Sequence, residues 1–128
     1  MAFPATTRGL LTTGGSMANF NAIVCARERH LGPRIRDGVL YTSTETHHSV
    51  RKSAKLAGVL ADRVRTIPAD RDFRMRLDHL EQAIRSDRAE GLLPFMVVSN
   101  AGTTNTGAVD RLGAVGEVCR REGMWHHV

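Results

Sequence analysis

Apolar spacing in this chain switches again and again between two periods, and that alternation limits the folds open to it. Residues 16–31 carry Phe20, Ile23, Val24, Arg27 and Leu31 at helical spacing, and Gly32-Pro33 ends the run. Val39-Leu40-Tyr41 reads as a short strand. Residues 48–58 return to helix, with Val50, Ala54 and Ala57 on one face and Gly58 as the stop. Arg63 to Ile67 alternates like a strand, and Pro68 closes it. Residues 76–89 are helical through Leu77, Leu80, Ala83 and Ile84. Phe95-Met96-Val97-Val98 is wholly apolar, as in a central parallel strand. Residues 111–122 are helical through Leu112, Val115, Val118 and Cys119, and residues 124–128 begin another strand. Strict alternation of strand and helix predicts an α/β fold: a mostly parallel sheet with helices on both faces. Nothing marks a domain boundary inside the chain.

In such sheets ligands bind beyond the carboxyl ends of the strands. Three polar clusters sit at comparable points of the pattern: Thr12 to Ser16, Thr46 to Ser49, and Asn100 to Asp110. Together they read as one shared ligand site. Gly14-Gly15-Ser16 opens a helix, so its free N–H groups and the helix dipole favour an anion, with Ser16 as cap or hydroxyl donor. A plain glycine turn with an N-cap explains the same residues. The spacing is neither G-x-G-x-x-G nor the Walker pattern, which disfavours ordinary nucleotide sites. His47, at a strand end, suits stacking on a ring or moving a proton; a capping or surface histidine is the alternative. The hydroxyls of Thr103 and Thr104 either bond a ligand oxygen or satisfy their own turn. Asp110 reads as the N-cap of the helix that follows.

Other functions are disfavoured. The net charge of +5 comes from arginines scattered over helix faces and loops, without interleaved aromatics, which argues against nucleic acid. No run of eighteen apolar residues exists for a membrane span. The first residues, Met1 to Arg8, lack the apolar stretch of a secretory signal. Cys25 and Cys119 lie in apolar helical patterns and read as buried free thiols of a reducing, cytoplasmic compartment. Adjacent histidines, His47-His48 and His126-His127, point in different directions and cannot form a metal-binding i, i+4 pair, so no metal site is expected. No nucleophilic triad fits the spacings.

In order and at family spacing, these motifs resemble the pyridoxal-phosphate-dependent group II amino-acid decarboxylases, the family of aromatic-L-amino-acid decarboxylase. Thr13-Gly14-Gly15-Ser16-Met17-Ala18-Asn19 looks like the family's phosphate-binding turn, which implies that Gly15 and Ser16 hold the phosphate of pyridoxal 5'-phosphate. Thr46-His47-His48-Ser49-Val50 looks like the segment whose histidine stacks on the pyridine ring, which implies a catalytic and cofactor-binding role for His47. Gly102 to Asp110 is similar to the family's Gly-Thr-Thr turn, with Thr104 near the cofactor. Met17 stands where many members have Glu. The resemblance implies a fold-type-I, transferase-like large domain. It also implies a homodimeric parent that removes the α-carboxylate of an L-amino acid, with an aromatic substrate expected. Trp125-His126-His127-Val128 resembles the stretch leading into the aspartate that pairs with the pyridine nitrogen. Residues 1–128 are therefore expected to be a partial cofactor-binding domain that stops before that aspartate and before the anchoring lysine. On its own it should be inactive, with open sheet edges and an uncovered face. A glutamate or diaminobutyrate decarboxylase, a related lyase or a non-catalytic remnant are the alternatives.

Overall fold

The computed structural model describes residues 4–128; Met1 to Phe3, part of the stretch read against a secretory signal, lie outside the described residues. The chain runs through helix α1 (Gly15–Leu31), strand β1 (Gly38–Ser43), α2 (Ser49–Leu56), β2 (Val64–Ile67), α3 (Leu77–Ala89), β3 (Leu93–Val98), α4 (Leu112–Glu122) and β4 (Trp125–His127). Short 3-10 turns at Ile35–Asp37 and Ala61–Arg63 lead into β1 and β2. All four strands pair in parallel, in the order β2-β1-β3-β4. The expected α/β architecture is therefore present.

Alternation along the strands sends side chains to opposite faces of the sheet. Leu40, Met96 and Val98 meet Ile23, Ala26, Val50 and Ala54 of α1 and α2. Val39, Tyr41 and Val97 meet Leu80 and Ile84 of α3, and Val115, Val118 and Cys119 of α4. Both faces carry helices, which corrects the expectation of an uncovered face. Pro94 lacks an N–H for the ladder, and the register slips there: Val39 faces Pro94, but Leu40 faces Met96. Phe95 is the extra residue of this bulge. Cys119 is buried as expected, but Cys25 is exposed. Ile23 and Ala26 face the core, and Cys25 between them points away.

Gly38 permits a close approach. A Cβ there would lie 2.2 Å from Leu31 Cδ1, so the end of α1 lies directly against the start of β1.

One buried ionic cluster ties the α3 face together. The Tyr41 hydroxyl donates to Asp87 Oδ2 at 2.8 Å, and Arg65 Nε donates to Asp87 Oδ1 at 3.1 Å. Burial, reinforced by the Asp87 carboxylate, pushes the Tyr41 phenol far above its ordinary pKa. Replacing Asp87 with Ala leaves the buried hydroxyl without an acceptor and Arg65 without a partner. Asp87 is 3% exposed and Arg65 33%, so the loss is expected near the low end for a broken buried pair, about 3 kcal/mol. Urea unfolding of wild type and Asp87→Ala measures it. A loss under about 1 kcal/mol would show that this cluster does not hold α3 to β1 and β2.

Candidate ligand cleft at the strand-order switch

From β1 the chain crosses by α2 to β2 on one side, whereas from β3 it crosses by α4 to β4 on the other. The two carboxyl ends therefore part between β1 and β3, which is where open α/β sheets bind ligands. A cleft of about 280 Å³ lies there. Thr46 and His47 line it after β1, and Val98 to Gly102 after β3. Asn19 of α1 and His127 of β4 complete the wall.

The predicted site residues are distributed unevenly. His47 lines the cleft and is exposed. Gly15 and Ser16 form the exposed start of α1, less than two turns before Asn19. Ser16 lines an adjoining apolar groove of about 500 Å³ between α1 and α2, with Met17, Phe20, Ser49, Ser53 and Leu56. Its expected capping role is corrected: Gly14 is the N-cap, at φ 139, and no side chain caps the helix. Thr104 is exposed in its turn and does not line the cleft. Thr103 takes the turn-satisfying role, because its hydroxyl contacts Thr106 Oγ1 at 2.6 Å and accepts from Ala108 N at 3.2 Å.

Asp110 departs from its expected role. The helix begins at Leu112 without a side-chain cap. Asp110 is buried, and its Oδ1 accepts Met75 N at 2.7 Å. Its Oδ2 accepts Asn100 N at 2.7 Å and Asn100 Nδ2 at 3.1 Å. With both oxygens spent on these distant groups, the carboxylate is not available to cap the helix start. Asn100 Nδ2 also reaches Ser43 Oγ at 3.2 Å and Thr46 Oγ1 at 3.3 Å, so the loops after β1 and β3 are joined beneath the cleft.

Sequence reasoning assigned no role to Asn19, Asn100 or His127. The available signal for Asn19 was its place one helical turn after Ser16. His126 and His127 diverge as expected: His126 Nε2 lies 2.9 Å from Ser99 Oγ, and His127 Nε2 lies 2.9 Å from Asn19 Oδ1. His47 and His48 do not diverge. Their ring centroids are 4.1 Å apart in a tilted stack, because the turn before α2 curls the backbone and brings consecutive side chains together. Among the described residues no helix is long and apolar enough to cross a membrane.

The sequence pattern of the pyridoxal-dependent decarboxylase conserved domain matches residues 1–128. The chain belongs to this family. It is 39% identical over 127 residues to aromatic-L-amino-acid decarboxylase of Bacillus atrophaeus, a match covering 99% of this chain and 26% of that protein. It is 39% identical over 126 residues to L-2,4-diaminobutyrate decarboxylase of Rhizobium meliloti, covering 98% and 25%. Among solved structures it matches mouse CSAD with a TM-score of 0.88 and 38% identity, over 93% of this chain and 27% of that one. Oryza sativa TDC with PLP and tryptamine matches with a TM-score of 0.84 and 31% identity, over 88% and 25%. The chain spans about a quarter of the length of the curated relatives it matches.

Burial holds the pKa of His126 below its usual 6.5, against the opposing Asp110 charge. Burial and the neighbouring His126 do the same for His127. In the unfolded chain both titrate at the ordinary value, so below about 6.5 the unfolded state binds more protons. Their contribution is fully present above that pH and declines as the pH falls. The lowered carboxylates Asp70 and Asp78 lose theirs only below about 3.8, in a separate window. The urea midpoint is expected to drop between about pH 7.5 and pH 5, and His127→Gln should flatten that slope. An unchanged slope in His127→Gln would exclude His127 as a source of it.

Proposed function

We propose that this chain forms the cofactor-holding part of a pyridoxal-phosphate-dependent carboxy-lyase. The enzyme removes the α-carboxylate of an L-amino acid and releases carbon dioxide and an amine. The observation that carries this reading is the cleft at the β1–β3 switch, with His47 on its wall and the uncapped start of α1 at the same end of the sheet.

Pyridoxal 5'-phosphate fits the residues present. A Cβ built on Gly14 or Gly15 meets nothing within 4 Å, so the space over the helix start is open. First-turn N–H groups have no helical acceptor, and the dipole favours a phosphate. Gly15 and Ser16 would hold that phosphate, His47 would stack on the pyridine ring, and Thr104 would approach from its loop. When bound, the cofactor supplies a conjugated ring that accepts the electron pair left by departing carbon dioxide. The protein's part is to hold the phosphate, limit the tilt of the ring through His47, and shield that face from water. Asn100, fixed by Asp110, keeps the loops on both sides of the ring in register.

Among the described residues, the side chains lining the cleft include no lysine and no carboxylate. The chain's only lysines, Lys52 and Lys55, lie on α2 beside other grooves. A covalent anchor and an acid for the ring nitrogen are therefore not supplied at this cleft by these residues. An aromatic substrate is our reading, supported by the likeness to the Bacillus atrophaeus protein. Human cysteine sulfinic acid decarboxylase, 38% identical, supports an acidic substrate as the second reading. We further propose a homodimeric, cytoplasmic working form. Exposed Met17 and Leu56 line one groove between α1 and α2, and Leu10 and Leu11 are further exposed apolar side chains, of the kind a second subunit covers.

In the whole enzyme, Ser16→Ala should weaken cofactor binding by about 1.5–3 kcal/mol, the value of a hydrogen bond to a charged group. Gly15→Val should weaken it as well. Fluorescence titration reads both, and unchanged affinity in the pair would remove the phosphate assignment. His47→Ala should lower turnover far more than His48→Ala; similar rates would exclude stacking by His47.

The 128-residue polypeptide by itself should release no carbon dioxide from aromatic amino acids above the free-cofactor background. Turnover above it, or a borohydride-trapped adduct on Lys52 or Lys55, would show that another residue serves as the anchor.

A further inference from the structure

His47 does not stand alone. Its Nδ1 lies 2.9 Å from Ser49 Oγ and accepts the Ser49 backbone N–H at 3.3 Å. Ser49 is buried, and its Oγ accepts Asn19 Nδ2 at 3.1 Å. On the other side of the same amide, Asn19 Oδ1 lies 2.9 Å from His127 Nε2. Four residues from α1, the β1–α2 loop, α2 and β4 thus form one continuous line of hydrogen bonds along the cleft.

A single backbone group sets the direction of that line. The Ser49 N–H can only donate, so His47 Nδ1 is the unprotonated ring nitrogen. The Ser49 hydroxyl must then donate its proton to the same nitrogen. Having spent its proton there, Ser49 Oγ can only accept from Asn19, which fixes the amide with Nδ2 toward Ser49. Oδ1 therefore faces His127, whose Nε2 must carry the hydrogen. The reversed amide would require Ser49 to donate to Asn19 and His47 Nδ1 to donate to Ser49. That arrangement sets two N–H groups against each other at Ser49 N and His47 Nδ1.

Resting on the cofactor reading of the cleft, we infer that Asn19 is a positioning residue which, through Ser49 and with His127 as terminal donor, locks His47 in the Nε2–H tautomer. The free Nε2–H has no hydrogen-bond partner among the described residues and is the one polar hydrogen the His47 ring can offer a ligand. A neutral ring with a defined donor stacks in one orientation, and its Nε2–H serves a ligand oxygen at the cleft.

The test reads the ring nitrogens directly, by long-range nitrogen–proton correlation NMR of the cofactor-free protein labelled with nitrogen-15 histidine. His47→Gln assigns the signal, and His48 is the internal control. Wild type should show an unprotonated Nδ1 at His47. Ser49→Ala and Asn19→Asp should each raise the Nδ1–H to Nε2–H ratio by about tenfold, the size of one lost donor bond. Ser49→Thr, which keeps the hydroxyl, should restore the wild-type spectrum. A merely structural role for Asn19 would change the melting temperature and leave the tautomer untouched. Wild-type Nδ1–H, or an unchanged tautomer in both Ser49→Ala and Asn19→Asp, overturns the inference. A titration of the same samples with pyridoxal phosphate separates the two readings. Loss of the tautomer effect with binding intact removes only the relay, whereas an intact relay without cofactor binding removes the functional reading.

Discussion

Because β1 pairs directly with β3 while their crossover helices leave for opposite faces, the ends of these two central strands cannot be covered by either helix. That one pairing creates the cleft. It also decides which side chains meet there: those following Ser43 on one strand and those following Val98 on the other. The remaining structure holds the pairing in place. Gly38 lets Leu31 lie against the base of β1, and the Pro94 bulge twists β3 so that Phe95 and Met96 both enter the α1–α2 core. Asp87 ties α3 to β1 and β2 from the opposite face.

The cleft then depends on two polar nodes with different characters. Asp110 and Asn100 lie beneath it, where both Asp110 oxygens and the Asn100 Nδ2 are spent on backbone groups, loop hydroxyls and each other. Such a node adds rigidity and joins the two loops. Asn19 and Ser49 lie beside it and pass their bonds onward to His47, whose far nitrogen stays unspent. A fixed base and an unspent group on the wall are what a binding site needs.

Most of the fold was legible because apolar period reports burial directly. Ile23 and Ala26, Leu80 and Ile84, and Val115 and Val118 recur where helix faces meet the sheet. Cys25 was misread because a thiol inside an apolar run looks buried, although its angular position between Ile23 and Ala26 turns it outward. Asp110 was misread for a different reason. Local sequence offers a helix start one residue away, whereas its actual partners are Met75, 35 residues distant, and Asn100. Long-range hydrogen bonding leaves no trace in spacing. Asn19 and His127, 108 residues apart, were invisible as a pair for the same reason.

The order in which these bonds form has a consequence for folding. His47 and Ser49 are neighbours, so their contact can form as soon as the turn before α2 does, whereas Asn19 joins only when α1 packs on α2 and His127 only when β4 pairs with β3. Loop-closure entropy makes the last contact the slowest to be rewarded. The Ser49 N–H already disfavours an Nδ1–H in that turn, and the line that holds the Ser49 hydroxyl toward Nδ1 is complete only when Asn19 and His127 have joined it. The same ordering explains why His127 suits the end of the line better than an exposed donor would. Its burial favours the neutral ring, so its Nε2–H can orient Asn19 without a buried charge at the end of the line.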